Sequence, residues 1–237
     1  MSFLKAEWRK LAIANYKIDP TLLEEYLPAG TELDFWEGNC YVSLIGFMFL
    51  DTRILGFRIP FHTNFEEVNL RFYVKRYENK AWKRGVVFIK EMVPKFALTF
   101  VANTIYKENY VTLPMKHRWE KSEKSNIVEY QWKKDHSWQK IKIIADLEPS
   151  EIIPDSETEF ITEHYWGYAK VDSNTTNEYE VTHPKWLAYK VIDFDISVNF
   201  ESVYGEKFAM LNGREADSVM LAEGSEITVE NKKKLKF

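Results

Sequence analysis

Alternation between apolar and polar positions is the strongest signal in this chain. Val68–Tyr77 alternates visibly, Gly85–Val93 is rich in Val, Phe and Ile, and Tyr41–Leu50 is apolar on both faces. A period of two places successive side chains on opposite faces of a strand, and a run that is apolar throughout marks a strand buried on both sides. Asn126–Lys133 and Trp138–Leu147 read as an antiparallel pair around the polar turn Lys134–Ser137. Trp166–Val171, Tyr179–Val181, Trp186–Asp195 and Ile227–Glu230 complete the predicted strands.

Helical signals are few and short. Asp19-Pro20 opens a helix with a capping carboxylate and a proline suited to the first turn, and Leu22, Leu23, Tyr26 and Leu27 form its apolar face. Pro28 and Gly30 end it. Lys95–Lys107 spaces Leu98, Val101 and Ile105 on one helical stripe, and Glu157–His164 and Val198–Tyr204 read as short helices. Consecutive strands without βαβ alternation predict a mainly β fold with short helices, a largely antiparallel barrel or sandwich. The Asp19–Leu27 and Lys95–Lys107 helices are expected outside it. Pro149–Pro154 is the only seam, and residues 1–237 are expected to form one domain.

Composition narrows the function classes. With 237 residues, 45% hydrophobic and 16% aromatic, the chain has ample material for a core. A net charge of −4 provides no general field for nucleic acid, and Lys232–Lys236 reads as a solvated tail. A single cysteine, Cys40, fits a reducing compartment. The opening MSFLKAEWRK carries charges where a signal peptide needs its apolar run, and runs such as Val42–Leu50 are too short to span a bilayer. A cytoplasmic protein without a membrane partner is expected. There is no nucleotide-binding glycine loop and no G-x-S-x-G elbow, and the five histidines are too widely spaced for a local metal motif. No metal and no cofactor is therefore expected.

Chemistry concentrates in two stretches, 62–94 and 164–186, where polar groups interrupt strand-like segments. Alternation puts Glu67, Asn69 and Arg71 on one face, opposite Val68, Leu70 and Phe72. That face is either solvated or the lining of a ligand cavity, with Arg71 holding a carboxylate or pairing with Glu67. Glu91 follows Ile89 by two residues on the same face. It is either a buried proton-transfer group with a raised pKa or an exposed strand end beside Pro94. His164 and His183 bracket an apparent hairpin, as ligand-binding groups or as hydrogen-bonded members of aromatic clusters.

Five ordered blocks carry a family resemblance: NYKIDPTLLEEYLPAGTELDFWEGNCYVSLIGFMFLDTR, PFHTNFEEVNLRFYVKR, RGVVFIKEMVP, YKENYVTLPMKH, and HYWGYAK with EYEVTHPKW. Over nearly its full length the chain resembles the YqjF-like family of uncharacterised conserved bacterial proteins, a domain-of-unknown-function family. More distantly it resembles the acetoacetate decarboxylase-like superfamily, which implies a closed, cone-like β-barrel. The decarboxylases use a lysine that forms a Schiff base with a β-keto acid, in a pocket lined by arginine and glutamates. Matching their Y-R-T-D-M-D-A-L stretch to Tyr16–Leu23 places the pocket arginine on Arg9 and one pocket glutamate on Glu67. The other glutamate falls near Leu44, and the paired lysines fall near Tyr110 and Val111. Lys107 and Lys116 are close in sequence but off the matched positions. The resemblance therefore implies the fold and a pocket, without imine-forming decarboxylation.

Two function classes follow. In one, the barrel binds a small molecule such as an organic acid, with Arg9, Asn69, Arg71, Glu91, His164 and His183 contacting it. As an enzyme it would use Glu67 as acid/base and Tyr106 or Tyr110 as the donor replacing the lysine; as a non-catalytic binding protein the same groups would serve recognition only. In the other, the protein is a non-enzymatic structural or interaction protein and the polar faces are solvated. A cavity enclosing Arg9 and Glu67 together discriminates between them.

Overall fold

A computed structural model describes residues 2–237, except for the side chains of Ile105 and Tyr106. Strands β1 (Leu4–Lys17), β2 (Tyr41–Ile54), β3 (Phe65–Glu78) and β4 (Ala81–Val93) run antiparallel, each beside the next. The short β5 (Tyr110–Thr112) adds in parallel to the end of β4, pairing Tyr110 with Glu91. β6 (Met115–Lys121), β7 (Asn126–Lys134) and β8 (Ser137–Ala145) form a meander of their own. β9 (Trp166–Asp172) and β10 (Thr175–Thr182) are the predicted hairpin between the two histidines. β11 (Val191–Ser197) joins β8 in the second sheet, and β12 (Ser218–Val229) pairs with β1.

The first sheet closes on itself. The order β1-β2-β3-β4-β9-β10-β12 returns to β1, because the end of β12 also pairs with Val181 and Thr182 of β10. The result is a cone-like ring of seven strands, antiparallel except at the β4–β9 seam. That seam is short, with only Gly85–Trp166 and Val86–Gly167 paired. The four-stranded second sheet packs against the outside of the ring. Val42, Leu44, Val68, Leu70 and Phe72 point out into one apolar core with Val128, Tyr130, Trp132, Ile141 and Ile143. A second core, with Leu11, Ile13, Ile45, Phe47, Phe65 and Tyr73, lies inside the ring. Both faces of β2 and β3 are thus buried, which accounts for the apolar run of β2.

Several expectations are adjusted. The Asp19-capped helix is a 3₁₀ helix, Pro20–Tyr26, with the Asp19 carboxylate accepting from the Thr21 N–H. The Lys95 segment is α-helical over Phe96–Val101, continues as a π-turn over Ala102–Tyr106, and stops at Lys107, whose φ is 63°. Expected outside the barrel, it instead contributes Leu98, Val101 and Ala102 to the lining of the interior cavity. Trp186–Asp195 divides into Leu187–Tyr189 and β11, which belong to different sheets. The pattern predicts neither β1 nor β6. In β1 a bulge at Lys10, with φ of 55°, breaks the alternation and puts Lys10 out of phase with Lys5, Glu7 and Arg9. Apart from Met115, β6 is exposed and carries no apolar face to read. Among the described residues no helix is long and apolar enough to cross a membrane.

Contact between the two sheets depends on Gly46. A Cβ there would lie 2.8 Å from the Tyr130 ring, whose hydroxyl donates to the Lys10 carbonyl at 2.8 Å. Gly46→Ala is expected to force that ring away and cost about 1–3 kcal/mol. A thermal melt should show a fall in Tm of several degrees; an unchanged Tm would contradict the packing described.

A candidate ligand-binding site inside the barrel

β3 builds the polar wall of the cavity. Its inward residues are Phe65, Glu67, Asn69, Arg71 and Tyr73, spaced at about 7 Å by the strand repeat. Glu67 and Asn69 are each 2% exposed, so the alternation read from sequence is a buried polar lining and the solvated reading falls. The neighbouring β4 adds Glu91 through a bulge. Leu70 pairs with Lys90 but Arg71 pairs with Phe88, leaving Ile89 as the extra residue. Ile89 therefore joins the outer core while Glu91 turns inward, also 2% exposed. The bulge corrects the expectation that the two share a face, and of the two readings of Glu91 its burial leaves the interior one.

A tyrosine links the carboxyl groups. The Tyr110 hydroxyl donates to Glu67 Oε2 at 3.0 Å, and Asn69 Nδ2 donates to Glu67 Oε1 at 3.0 Å. Asn103 fixes Tyr110 by accepting from its N–H at 2.7 Å and donating to its carbonyl at 2.9 Å. Glu108, one turn of loop earlier, accepts from the Tyr179 hydroxyl of β10 at 2.8 Å. Burial pushes the Glu67 carboxyl up to about 7, against the opposing effects of Asn69, Tyr110 and Arg71. It also pushes Glu108 up to about 7, aided by the charge of Glu67. Glu91 is raised well above the usual range by burial and by repulsion from Glu108 and Glu67. Like charges crowded in a buried site cannot all ionise together, so the cluster retains protons near neutrality.

Arg71 is the cation of the cavity. It is 8% exposed, donates to the Ile161 carbonyl at 3.1 Å and lies 5.5 Å from the centre of the Tyr73 ring. Its Nε has no hydrogen-bond partner among the described residues, and neither do Asn69 Oδ1 and Glu91 Oε2. His164 also lines the cavity. Its Nε2 faces Asp34 at 3.4 Å, its Nδ1 is unpartnered, and burial lowers its pKa to about 4, keeping the ring neutral. Next to this wall on the ring, β2 and then β1 present Ile45, Phe47, Phe49, Trp8 and Leu11. The space between is about 140 Å³. Beyond Arg71 the interior is filled: Tyr73 and Ser43 share a 2.7 Å hydrogen bond, and Ser43 donates to Asn15 at 2.5 Å.

The structure thus brings together Glu67, Asn69, Arg71, Glu91, Tyr110 and His164. Arg9 and His183 are not among the lining residues. Trp8 and Leu11 face inward, while Arg9 pairs with Glu7 at 2.8 Å and donates to the Gly224 carbonyl at 3.3 Å. His183 stacks on Trp186 at 4.1 Å and bonds the Pro184 carbonyl, the aromatic-cluster reading. Leu44, matched to a pocket glutamate by the remote register, sits in the outer core. The side chain of Tyr106 lies outside the described residues. Glu108 and Tyr179 escaped the sequence reading, because Glu108 sits in an irregular loop with no period to place it. Among the described residues no lysine lines the cavity, and no three of His, Cys, Asp and Glu cluster so as to hold a metal ion.

Proton linkage gives a direct check. A carboxyl whose folded pKa lies above its unfolded value binds more protons in the folded state between the two. Stability is then lost as pH rises from about 4.5 to about 7. His164, depressed to about 4, acts in the opposite sense below 6.5, so the variant must be compared with the parent at each pH. Glu67→Gln is expected to gain roughly 1–3 kcal/mol relative to the parent between pH 5 and pH 8. Urea melts at several pH values measure it; a pH-independent difference would place the Glu67 carboxyl in solvent.

Comparisons with known proteins agree with this architecture. The family model described as "Uncharacterized conserved protein", DUF2071, matches residues 5–226. The uncharacterized protein YqjF of Bacillus subtilis is 26% identical over 201 residues, covering 83% of this chain and 78% of that protein. The crystal structure of acetoacetate decarboxylase from Legionella pneumophila superposes with a TM-score of 0.67 at 14% identity, covering 98% of this chain and 86% of that one. The enduracididine biosynthesis enzyme MppR complexed with pyruvate has a TM-score of 0.67 at 10% identity, covering 100% and 91%. At such identities the structural likeness establishes the fold, and the sequence match establishes the family. The chain belongs to the DUF2071 family of uncharacterized conserved proteins, on an acetoacetate decarboxylase-like barrel.

Proposed function

We propose that the barrel binds a small organic acid, with Arg71 as the anchor for its carboxylate and the Glu67–Tyr110–Glu91 group as proton donor and acceptor. The observation that carries this reading is a buried guanidinium in the cavity wall whose Nε is unpartnered and which no carboxylate pairs among the described residues. A buried unpaired cation is costly, and a ligand carboxylate satisfies it with paired N–H donors. The structure complexed with pyruvate shares this fold, which is consistent with a small acid in the barrel. A purely structural role leaves the unpartnered Asn69 Oδ1, Arg71 Nε and Glu91 Oε2 unexplained.

The carboxyl groups set the pH dependence. Above about 7 Glu67 and Glu108 ionise, and their charges oppose an incoming anion. Below that pH they present hydrogen-bond donors instead. A titration by NMR with acetate, pyruvate and benzoate at pH 6 should show saturable binding of at least one. That affinity should fall at pH 8 and fall at least tenfold in Arg71→Met, about 1.4 kcal/mol. Failure of every acid to bind would overturn the proposal.

Chemistry through an imine is not part of this proposal. An imine needs an uncharged lysine amine within the cavity, held neutral by burial or a second cation. Tyr110 and Val111 stand at the matched positions, Lys107 is exposed beyond the π-turn, and Lys116 is exposed over the Trp138 ring at 4.4 Å. Borohydride added with acetoacetate should leave the protein mass unchanged. A stoichiometric adduct lost in Lys107→Ala or Lys116→Ala would restore the decarboxylase mechanism.

A further inference from the structure

Strand pairing separates the cavity into two chemically distinct walls. Glu67 on β3 lies directly beside Phe47 on β2, and Asn69 lies beside Ile45. Next on the ring, β1 sets Trp8 beside Phe49 and Ile13 beside Ile45. Every ionisable lining group comes from β3, β4, the 108–110 segment, His164 or Tyr179 of β10, while β1 and β2 offer apolar surface whose one polar side-chain group is the Trp8 Nε1–H. On that apolar side Trp8 and Phe47 pack edge to face at 5.3 Å.

We infer that the ligand is a compact monocarboxylic acid with an apolar body about the size of a benzene ring, such as an aromatic or branched-chain acid. This rests on the proposed carboxylate at Arg71 and adds the class of the remainder. Three observations carry it. The apolar wall offers one donor, the unpartnered Trp8 Nε1–H, and no side-chain acceptor, so a polyol or sugar acid would lose hydrogen bonds on entry. Arg71 is the lone cation in the lining among the described residues, so the second charge of a dicarboxylate would be buried without a counter-charge. The cavity, about 140 Å³, matches the ~150 Å³ that accommodates benzene in an engineered apolar cavity and is too small for a long acyl chain. The carboxylate lies on the β3 side and the apolar body against Phe47, Ile45 and Leu11.

The test is a calorimetric titration of the full chain at pH 6 with benzoate, acetate, malonate, decanoate and benzylamine. Benzoate is expected to bind at least tenfold more tightly than acetate, with malonate and decanoate weaker than benzoate. NOEs from its ring protons to the Ile45 and Leu11 methyl groups should locate the ring without any variant. In Phe47→Leu, checked for an intact melt, benzoate affinity should fall while that of acetate is unchanged. Acetate or malonate binding as tightly as benzoate would overturn the inference about the apolar body and leave the carboxylate reading standing. Benzylamine binding with no acid binding would overturn both, as would the absence of any binding.

Discussion

The burial of Glu67, Asn69 and Arg71 on the inward face of one strand is the constraint on which the rest of this structure turns. Each group loses water on entering the barrel, and each must recover that loss from a neighbour or leave it unmet. Glu67 recovers it from Asn69 and Tyr110, and by holding its proton to about pH 7. Arg71 recovers it only in part, from one carbonyl and the face of Tyr73. Asn69 Oδ1, Arg71 Nε, Glu91 Oε2 and His164 Nδ1 are left unpartnered together in the wall of one cavity, and this grouping distinguishes a site from a packed core.

Two bulges aim that wall. In β4 the extra residue at Ile89 reverses the parity of the strand, so that Glu91 joins the carboxyl cluster while Lys90 reaches outward to the Val203 carbonyl. In β1 the bulge at Lys10 lets both Trp8 and Leu11 face inward, although they are three positions apart. Without it the alternation that turns Trp8 inward would send Leu11 outward. The bulged chain exposes the Lys10 carbonyl to the Tyr130 hydroxyl of the second sheet, so one irregularity serves the cavity and the packing of the two sheets.

The short seam between β4 and β9 has a consequence of its own. Beyond Val86 the inner edge of β4 lacks β9, and the segment leading into β5 fills that place. Asn109 donates to the Ile89 carbonyl at 2.7 Å, and Tyr110 pairs with Glu91. Glu108 and Tyr110 thus enter the barrel from an irregular segment, positioned by Asn103 rather than by strand periodicity.

By itself the sequence determined the local elements: the hairpins, the Asp19 cap, the helix ending at Lys107, and the set Glu67, Asn69, Arg71 on one face of β3. Each follows from interactions within a few residues, which repeat with a fixed period or a fixed cap geometry. Block resemblance added the family and the cone-like barrel. Only the tertiary structure decided which face of β3 is interior, because ring closure on one side and the second sheet on the other bury both. It decided also that Glu91, and neither Arg9 nor Leu44, shares the cavity with Glu67, since a one-residue bulge reverses a strand's parity without altering its composition. Glu108 meets Tyr179 across 71 positions of sequence. No local period encodes that contact; closure of the ring creates it.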